Sequence, residues 1–348
     1  MKIAPIYRAS LNHPEIYPMI IHTGQHYDQE MSDIFFQDLG IPEPSFHLNA
    51  GSGSHAIQTS RIMTVFEGIC EKERPDIVMV VGDVNSTLAC TIVAKKLNVK
   101  VAHVEAGLRS FDMSMPEEIN RMVTDSITDY FFVTEKSGVR NLIKEGKPED
   151  RIHYVGHVMI DNLLYQVAKL DGTDDFQTAK LKKKNKKYAF LTLHRPSNVD
   201  NRDVFEGIAE ALNEITQYRP ICFPVHPRTK KMIAQHGINL SDNIISLPPL
   251  SFKESLFLWK DAEVVLTDSG GLQEETTALK IPCVTIRENT ERPITVDVGS
   301  NVLAGTNPEN ILKAYRESIL KSRYAMIPHF WDGKASERIW QVLINPTA

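Results

Sequence analysis

Val264–Glu275 reads V-V-L-T-D-S-G-G-L-Q-E-E. A short apolar run passes through small polar residues into the start of a helix. Strand, tight turn and helix start make up the repeating unit of a wound α/β sheet. Small residues let backbone N–H groups approach an anion there, and the helix N-terminus adds positive potential. Ser269, Gly270 and Gly271 are thus candidate phosphate ligands. Glu275, more than one turn into the helix, is a candidate acceptor for ribose hydroxyls. The competing interpretation is a Ser/Gly helix cap with solvated glutamates.

The same rhythm extends outward. Tyr188–Leu193, Ile221–Val225, Ile244–Leu247 and Cys283–Ile286 read as further strands, and Tyr17–His22, Asp76–Val81, Val99–Val104, Tyr130–Thr134 and His153–Val155 read likewise upstream. Amphipathic helices such as Ser54–Lys72 and Ser86–Leu97 separate them. Near-continuous apolar strands between helices indicate parallel sheets covered on both faces. The rhythm breaks at Asp171–Lys187, which carries K-L-K-K-K-N-K-K and reads as a solvated linker. The expected fold class is α/β: two Rossmann-like domains, residues 1–170 and 188–327, joined through the charged stretch 171–187. Ligands in such sheets bind at the carboxyl ends of the strands, here in a central cleft. One feature is anomalous. Lys2–Leu11 reads as a helix and the first strand follows only at Tyr17, whereas a doubly wound domain normally opens with a strand that becomes central. The first strand of domain one is therefore expected to be missing, leaving unpaired neighbours and a groove in the core. The alternative is a variant fold that opens with a helix.

Bulk properties narrow the function classes. The 348 residues are 42% hydrophobic and 24% charged with net charge −5, which argues against broad affinity for nucleic acid or anionic membrane. No apolar run reaches the roughly 18 residues of a membrane span, and no signal-peptide pattern opens the chain. Cys70, Cys90, Cys222 and Cys283 show no C-x-x-C pairing, so buried reduced thiols and a cytoplasmic location are expected. No cofactor is predicted: G-x-G-x-x-G is absent, and no compact His/Cys/carboxylate set suggests a metal.

Polar residues gather at the predicted strand ends. V-G-D-V-N-S-T carries Asp83, H-V-E-A-G-L-R-S carries Glu105 and Arg109, and M-P-E-E-I-N-R carries Glu117 and Glu118. Each alone could cap a helix; together, carboxylates in one cleft push each other's proton affinities apart and offer acids and bases. In the second half, L-T-L-H-R-P-S-N-V-D and F-P-V-H-P-R carry His194 and His226. R-E-N-T-E-R-P carries Arg292, a candidate phosphate or hydroxyl ligand whose alternative is a surface ion-pair network. H-T-G-Q-H-Y-D places His22, Gln25 and His26 after the first strand.

Taken in order, T-G-Q-H, G-D-V-N-S-T, H-V-E-A-G-L-R, P-E-E-I-N-R, L-H-R-P-S-N-V-D, P-V-H-P-R, T-D-S-G-G-L-Q-E-E and E-N-T-E-R-P resemble the non-hydrolysing UDP-N-acetylglucosamine 2-epimerases. The resemblance implies a GT-B-type fold, a final helix (residues 328–348) crossing back to the first domain, a UDP-sugar substrate and a homodimer. By position it implies active-site roles for Lys2, Asp83, Glu105, Glu117 and His194, UDP binding by Ser269, Gly270, Gly271, Glu275 and Arg292, and a cleft position for His226; Arg109, at a predicted strand end, is a further candidate substrate ligand. Gln25 and His26 match part of a regulatory pattern from which Asp28 departs. Two further departures stand out: the family's opening strand and G-T-R-P-E loop are absent, and Ser197 replaces a common glutamate. The reaction implied is UDP-N-acetylglucosamine to UDP-N-acetylmannosamine through 2-acetamidoglucal. The alternatives are an epimerase of a UDP-linked diacetamido uronic acid sugar, a GT-B glycosyltransferase, or a catalytically impaired UDP-sugar-binding protein.

Overall fold

The structure, a computed structural model, describes residues 1–24, 36, 38–170, 176 and 178–345. The chain divides into two compact units, Met1–Asn162 with His329–Ala348, and Leu163–Pro328. All strand pairs are parallel.

The second unit holds one six-stranded sheet. Its strands are β7 (Ala189–Thr192), β8 (Ile221–Pro224), β9 (Ile244–Leu247), β10 (Val264–Thr267), β11 (Cys283–Thr285) and β12 (Asn301–Leu303), in the order β12-β11-β10-β7-β8-β9. The order reverses between β7 and β10, the doubly wound pattern whose crevice receives ligands. The strands are short and nearly all apolar because both faces are covered: Ala189, Phe190, Leu191, Val264, Val265 and Leu266 are fully buried. β12 escapes sequence reading, since N-V-L is only three residues beside glycine and serine. The charged stretch before β7 is not a free linker. Lys182 donates to Phe257 O at 3.0 Å, pairs with Asp261 and lies over the Phe257 ring, so residues from 178 on belong to this unit. The boundary falls earlier, within the helix Val158–Leu170.

The first unit opens on the helix Ile3–Ser10, and its sheet is in two pieces. β1 (Ile21–His22) pairs with β2 (Phe46–His47), while β3 (Ile77–Val81), β4 (Lys100–Val104), β5 (Tyr130–Val133) and β6 (Ile152–Tyr154) form a separate four-stranded sheet. The predicted strand Tyr17–His22 shrinks to two residues: Ile21 and His22 pair in register with Phe46 and His47, while Ile20 offers only its carbonyl, which accepts the Ser45 N–H at 2.8 Å. Ser54 caps the helix His55–Glu73, its hydroxyl accepting the Ile57 N–H at 3.3 Å.

The C-terminal segment returns to the first unit. Trp340 Nε1 donates to Ile6 O at 2.8 Å, Tyr154 Oη donates to His329 O at 2.7 Å, and Asp161 accepts the N–H groups of Ala335 and Ser336. These bonds draw the chain so close that Gly156, at φ +95°, has no room for a side chain: a Cβ there would lie 2.0 Å from Phe330 O. Gly156→Ala is expected to destabilise the first unit by at least about 1–3 kcal/mol. Denaturant unfolding reads this directly, and an unchanged midpoint would show that the return segment is not held so tightly.

Candidate active site

In the first unit the polar residues collect at the carboxyl ends of β3 and β4. Gly82 follows β3 at φ +76°, and Glu105 follows β4 at φ +72°. Left-handed backbone is unusual for a glutamate and costs about 1–3 kcal/mol, a kind of strain that concentrates at functional sites. Lys2 Nζ lies 2.5 Å from Glu105 Oε2. The other carboxylate oxygen, Oε1, is buried and has no hydrogen-bond partner among the described residues. A Cβ on Gly82 would stand 3.2 Å from Lys2 Nζ, so the bare glycine leaves this ion pair its space.

Asp83 comes next in the chain and is held from the helix Pro116–Ile127. Arg121 donates to Asp83 Oδ2 through Nε at 3.0 Å and Nη2 at 2.7 Å, and to Glu118 Oε2 through Nη1 at 2.8 Å. Burial alone would raise the Glu118 carboxyl, but the N–H groups of Ser110 and Phe111 with Arg121 hold it below its usual range. Glu118 is thus a clamp on the loop Ser110–Phe111. Glu117, half-buried on the first turn of the same helix, makes no hydrogen bond or ion pair among the described residues.

Arg109 departs from expectation. Its side chain is 2% exposed, with Nη2 2.7 Å from both Asp125 Oδ2 and Glu145 Oε2. It forms a buried ion pair with these two carboxylates. The backbone turn after β4 directs it inward, where Asp125 also faces His103 Nδ1 at 2.7 Å. Burial would raise the Asp125 carboxyl, yet His103 and Arg109 together keep it below the ordinary carboxylate range. His103 Nε2 meets Gly82 O at 2.8 Å, so this buried group supports the turn that carries Asp83.

The second unit builds its site at the switch point between β7 and β10. Asp268, fully buried at the end of β10, accepts the N–H groups of His194 and Arg195 at 2.8 Å each and the Asn198 amide at 3.3 Å on Oδ2. Its Oδ1 lies 2.9 Å from His194 Nδ1. One carboxylate thereby ties the loop after β7 to the turn after β10 and leaves His194 Nε2 for other work. The His226 ring stands 5.8 Å from that of His194, and its Nδ1 accepts the Arg228 N–H at 3.2 Å. Ser269 precedes the helix Gly270–Ala278 without using its hydroxyl as a cap. A Cβ on Gly270 or Gly271 would meet nothing within 4 Å, so an anion has open access to the first-turn amides. Arg292 Nε lies 2.6 Å from Glu274 Oε1.

Residues 8–344 match the family model described as UDP-N-acetylglucosamine 2-epimerase. The chain belongs to the UDP-N-acetylglucosamine 2-epimerase family. It is 43% identical to the UDP-N-acetylglucosamine 2-epimerase of Methanocaldococcus jannaschii, over 99% of this chain and 95% of that protein. It is 38% identical to the UDP-2,3-diacetamido-2,3-dideoxy-D-glucuronate 2-epimerase of Pseudomonas aeruginosa, over 99% of this chain and 96% of that one. The crystal structure of the M. jannaschii enzyme in complex with UDP-GlcNAc and UDP superposes with a TM-score of 0.85, covering 99% of this chain and 96% of that one. The two Rossmann-like units are those of this epimerase family.

Within the family frame, two residues gain weight that sequence reading did not give them. Asp268 is the hub of the second half-site, and Arg121 fixes Asp83; both stand inside quoted motifs, Asp268 as the first acid after an apolar strand and Arg121 at i+4 from Glu117. Gln25, His26 and Asp28 lie outside the described residues. Glu275 lies buried in the helix Gly270–Ala278, where burial, and then the neighbouring Glu274, push its pKa up to about 8. Folding a buried acid with a raised pKa is unpenalised below the unfolded value near 4.5 and loses ground as pH climbs to about 8. Glu275→Gln removes that loss. Its stability advantage over the parent chain is expected to grow to a few kcal/mol between pH 5 and 8. Urea midpoints at several pH values measure it; an equal gap at every pH would mean that Glu275 is ionised in the fold.

Proposed function

We propose that the chain inverts carbon 2 of UDP-N-acetylglucosamine to give UDP-N-acetylmannosamine. The hydrogen on that carbon is not beside a carbonyl, so it becomes acidic only as the bond from carbon 1 to the UDP oxygen breaks. The electrons of the C2–H bond then form the C1–C2 double bond of 2-acetamidoglucal, the proton passes to a carboxylate, and UDP leaves. Return of UDP to carbon 1, with a proton delivered to the opposite face of carbon 2, completes the inversion.

The observation that carries this reading is that one member of the family has both parts the reaction demands. Glu105, strained and with one buried oxygen unpartnered, is suited to take or give the proton. The open helix start at Ser269–Gly271 is suited to a diphosphate. We assign Glu117 to the other face of carbon 2, since Asp83 is engaged by Arg121 and serves to position it. His194, oriented by Asp268, and Arg292, held by Glu274, stabilise the departing UDP. Lys2 sets the orientation of Glu105, His226 supports His194, and Glu275 meets the ribose hydroxyls.

A second substrate is favoured by one specific observation, the 38% identity to the diacetamido-glucuronate epimerase. Incubating the protein with each UDP-sugar in deuterated water and following carbon 2 by NMR separates them. Inversion with deuterium gained at carbon 2 is expected for UDP-N-acetylglucosamine; turnover without solvent deuterium would sink the elimination route.

The functional form in this reading is a cytoplasmic homodimer. Ile119, Met122 and Val123 leave an apolar stripe exposed on the helix Pro116–Ile127, and Ile57 and Val65 are exposed on the helix His55–Glu73 in the same layer. Exposed apolar side chains on these helices suit a self-complementary interface. The four cysteines are buried and free, as a reducing compartment requires. No helix among the described residues is long and apolar enough to cross a membrane. Sedimentation of the parent chain and of Met122→Glu tests the assembly: a dimer that the charge dissociates is expected.

A further inference from the structure

We propose that Gln58, Asn85 and Asn120 are positioning residues, joined in a relay of side-chain amides that sets Asp83 and the helix turn carrying Glu117. The kinetic consequence of the relay rests on the carbon-2 inversion proposed above. Asn120, buried on the helix Pro116–Ile127, donates to Asp83 O at 2.8 Å and to Asn85 Oδ1 at 3.3 Å. Asn85, at the start of the helix Asn85–Lys96, donates to Gln58 Oε1 at 2.7 Å. Gln58, on the helix His55–Glu73, donates in turn to Gly51 O at 3.2 Å. Three helices thus meet through three amides linked head to tail.

The chemistry of the amide group makes this arrangement directional. An amide is flat, and its two N–H bonds diverge at a fixed angle. Both N–H bonds of Asn120 are used, so the acceptor on Asn85 fixes the plane in which the other reaches Asp83 O. Gln58 Oε1 orients the Asn85 amide in the same way, with His55 Nδ1 3.1 Å from the same nitrogen. Asp83 is gripped twice from one helix turn: Arg121 takes its carboxylate and Asn120 its carbonyl. The start of that helix has no side-chain cap, since Met115 stands at the cap position and Pro116 follows. Its first turn, with Glu117, is located instead by Glu118 on the Ser110–Phe111 loop and by Asn120 on Asp83 O. The far end of the relay is also tied. The Gly51 N–H donates to Gly24 O at 3.2 Å, the Ala50 N–H donates to Thr23 O at 3.1 Å, and a Cβ on Gly24 would stand 2.8 Å from Asn49 Cα. Gln58 therefore carries the position of this packed loop toward Asp83. Linked hydrogen bonds polarise one another, so the loss of one link is felt along the rest.

Gln58 is half-buried, and Gln58→Leu nearly preserves its volume while removing both of its relay bonds. This variant is expected to lose kcat by about 10-fold or more, with KM within about twofold and the thermal midpoint close to that of the parent chain. Gln58→Glu keeps an acceptor for Asn85 and is expected to retain most of kcat. Thr59→Ala, one residue along the same helix, is expected to retain all of it. In a double-mutant cycle, Gln58→Leu is expected to cost little more once Asn120→Ala is in place, because both break one relay. The amide of Val84, whose peptide bond bears Asp83 O, is followed by proton–nitrogen NMR correlation. Its resonance is expected to move in Gln58→Leu and to stay in Thr59→Ala. The proposal is overturned by additive losses in the cycle, or by an unchanged kcat or an unmoved Val84 resonance in folded Gln58→Leu protein. It is equally overturned by a kcat loss that sedimentation traces to a broken dimer. A parent chain that inverts neither UDP-sugar refutes the functional assignment, and the Val84 resonance alone then decides the relay.

Discussion

Glu105→Gln is expected to lower kcat for carbon-2 inversion by about 100- to 10,000-fold, the range that positioned proton transfer contributes. The substitution preserves volume and still accepts from Lys2, which lies 2.5 Å from Oε2. What it removes is the capacity to hold and release a proton at the buried, unpartnered Oε1. The backbone strain at φ +72° remains, so the geometry of the turn should persist. Two readouts separate lost chemistry from lost structure: solvent deuterium at carbon 2 should fall with kcat, while UDP affinity and the thermal midpoint should stay close to those of the parent chain. Unchanged deuterium uptake in a folded Glu105→Gln protein would take the proton transfer away from this residue.

Asp125→Ala is expected to cost about 3–5 kcal/mol of stability, the scale of breaking a buried ion pair by removing one partner. Asp125 and His103 are wholly buried and Arg109 is nearly so. Deleting the carboxylate leaves Arg109 with Glu145, strips His103 Nδ1 of its acceptor and frees the Gly107 N–H, which donates to Asp125 Oδ2 at 3.0 Å. Urea unfolding measures the loss, and a change under 1 kcal/mol would refute this account of the network. The pH dependence has a definite sign. The folded carboxyl sits below its usual range, so its contribution is present above that range and is lost as pH falls through the folded value. Asp125→Ala should therefore flatten the acid limb of the stability profile. Because His103 also holds Gly82 O, the variant should lose kcat along with stability, through displacement of Asp83 and Glu105.

The strand, turn and helix order was legible in the sequence because parallel strands covered on both faces must be apolar throughout, and Val264–Thr267 or Ile221–Pro224 need no partner to declare themselves. The open S-G-G turn was legible for the same local reason: absence of side chains is a property of the residues. β2 and β12 were not legible, being two and three residues long and strands only by virtue of a neighbour.

The direction in which each polar side chain points was decided by tertiary structure. Arg109 and Glu105 both sit just past the carboxyl end of β4, and position at a strand end made both candidates for the site. The backbone turn through Glu105 and Gly107, both at positive φ, sends Arg109 into the core against Asp125 and leaves an oxygen of Glu105 unclaimed. Asp83 with Arg121, and Asp268 with His194, meet across 38 and 74 residues of chain. No spacing rule encodes such pairs, because they form where separate strands end side by side, and the order of strands in a sheet is settled only when the whole sheet packs.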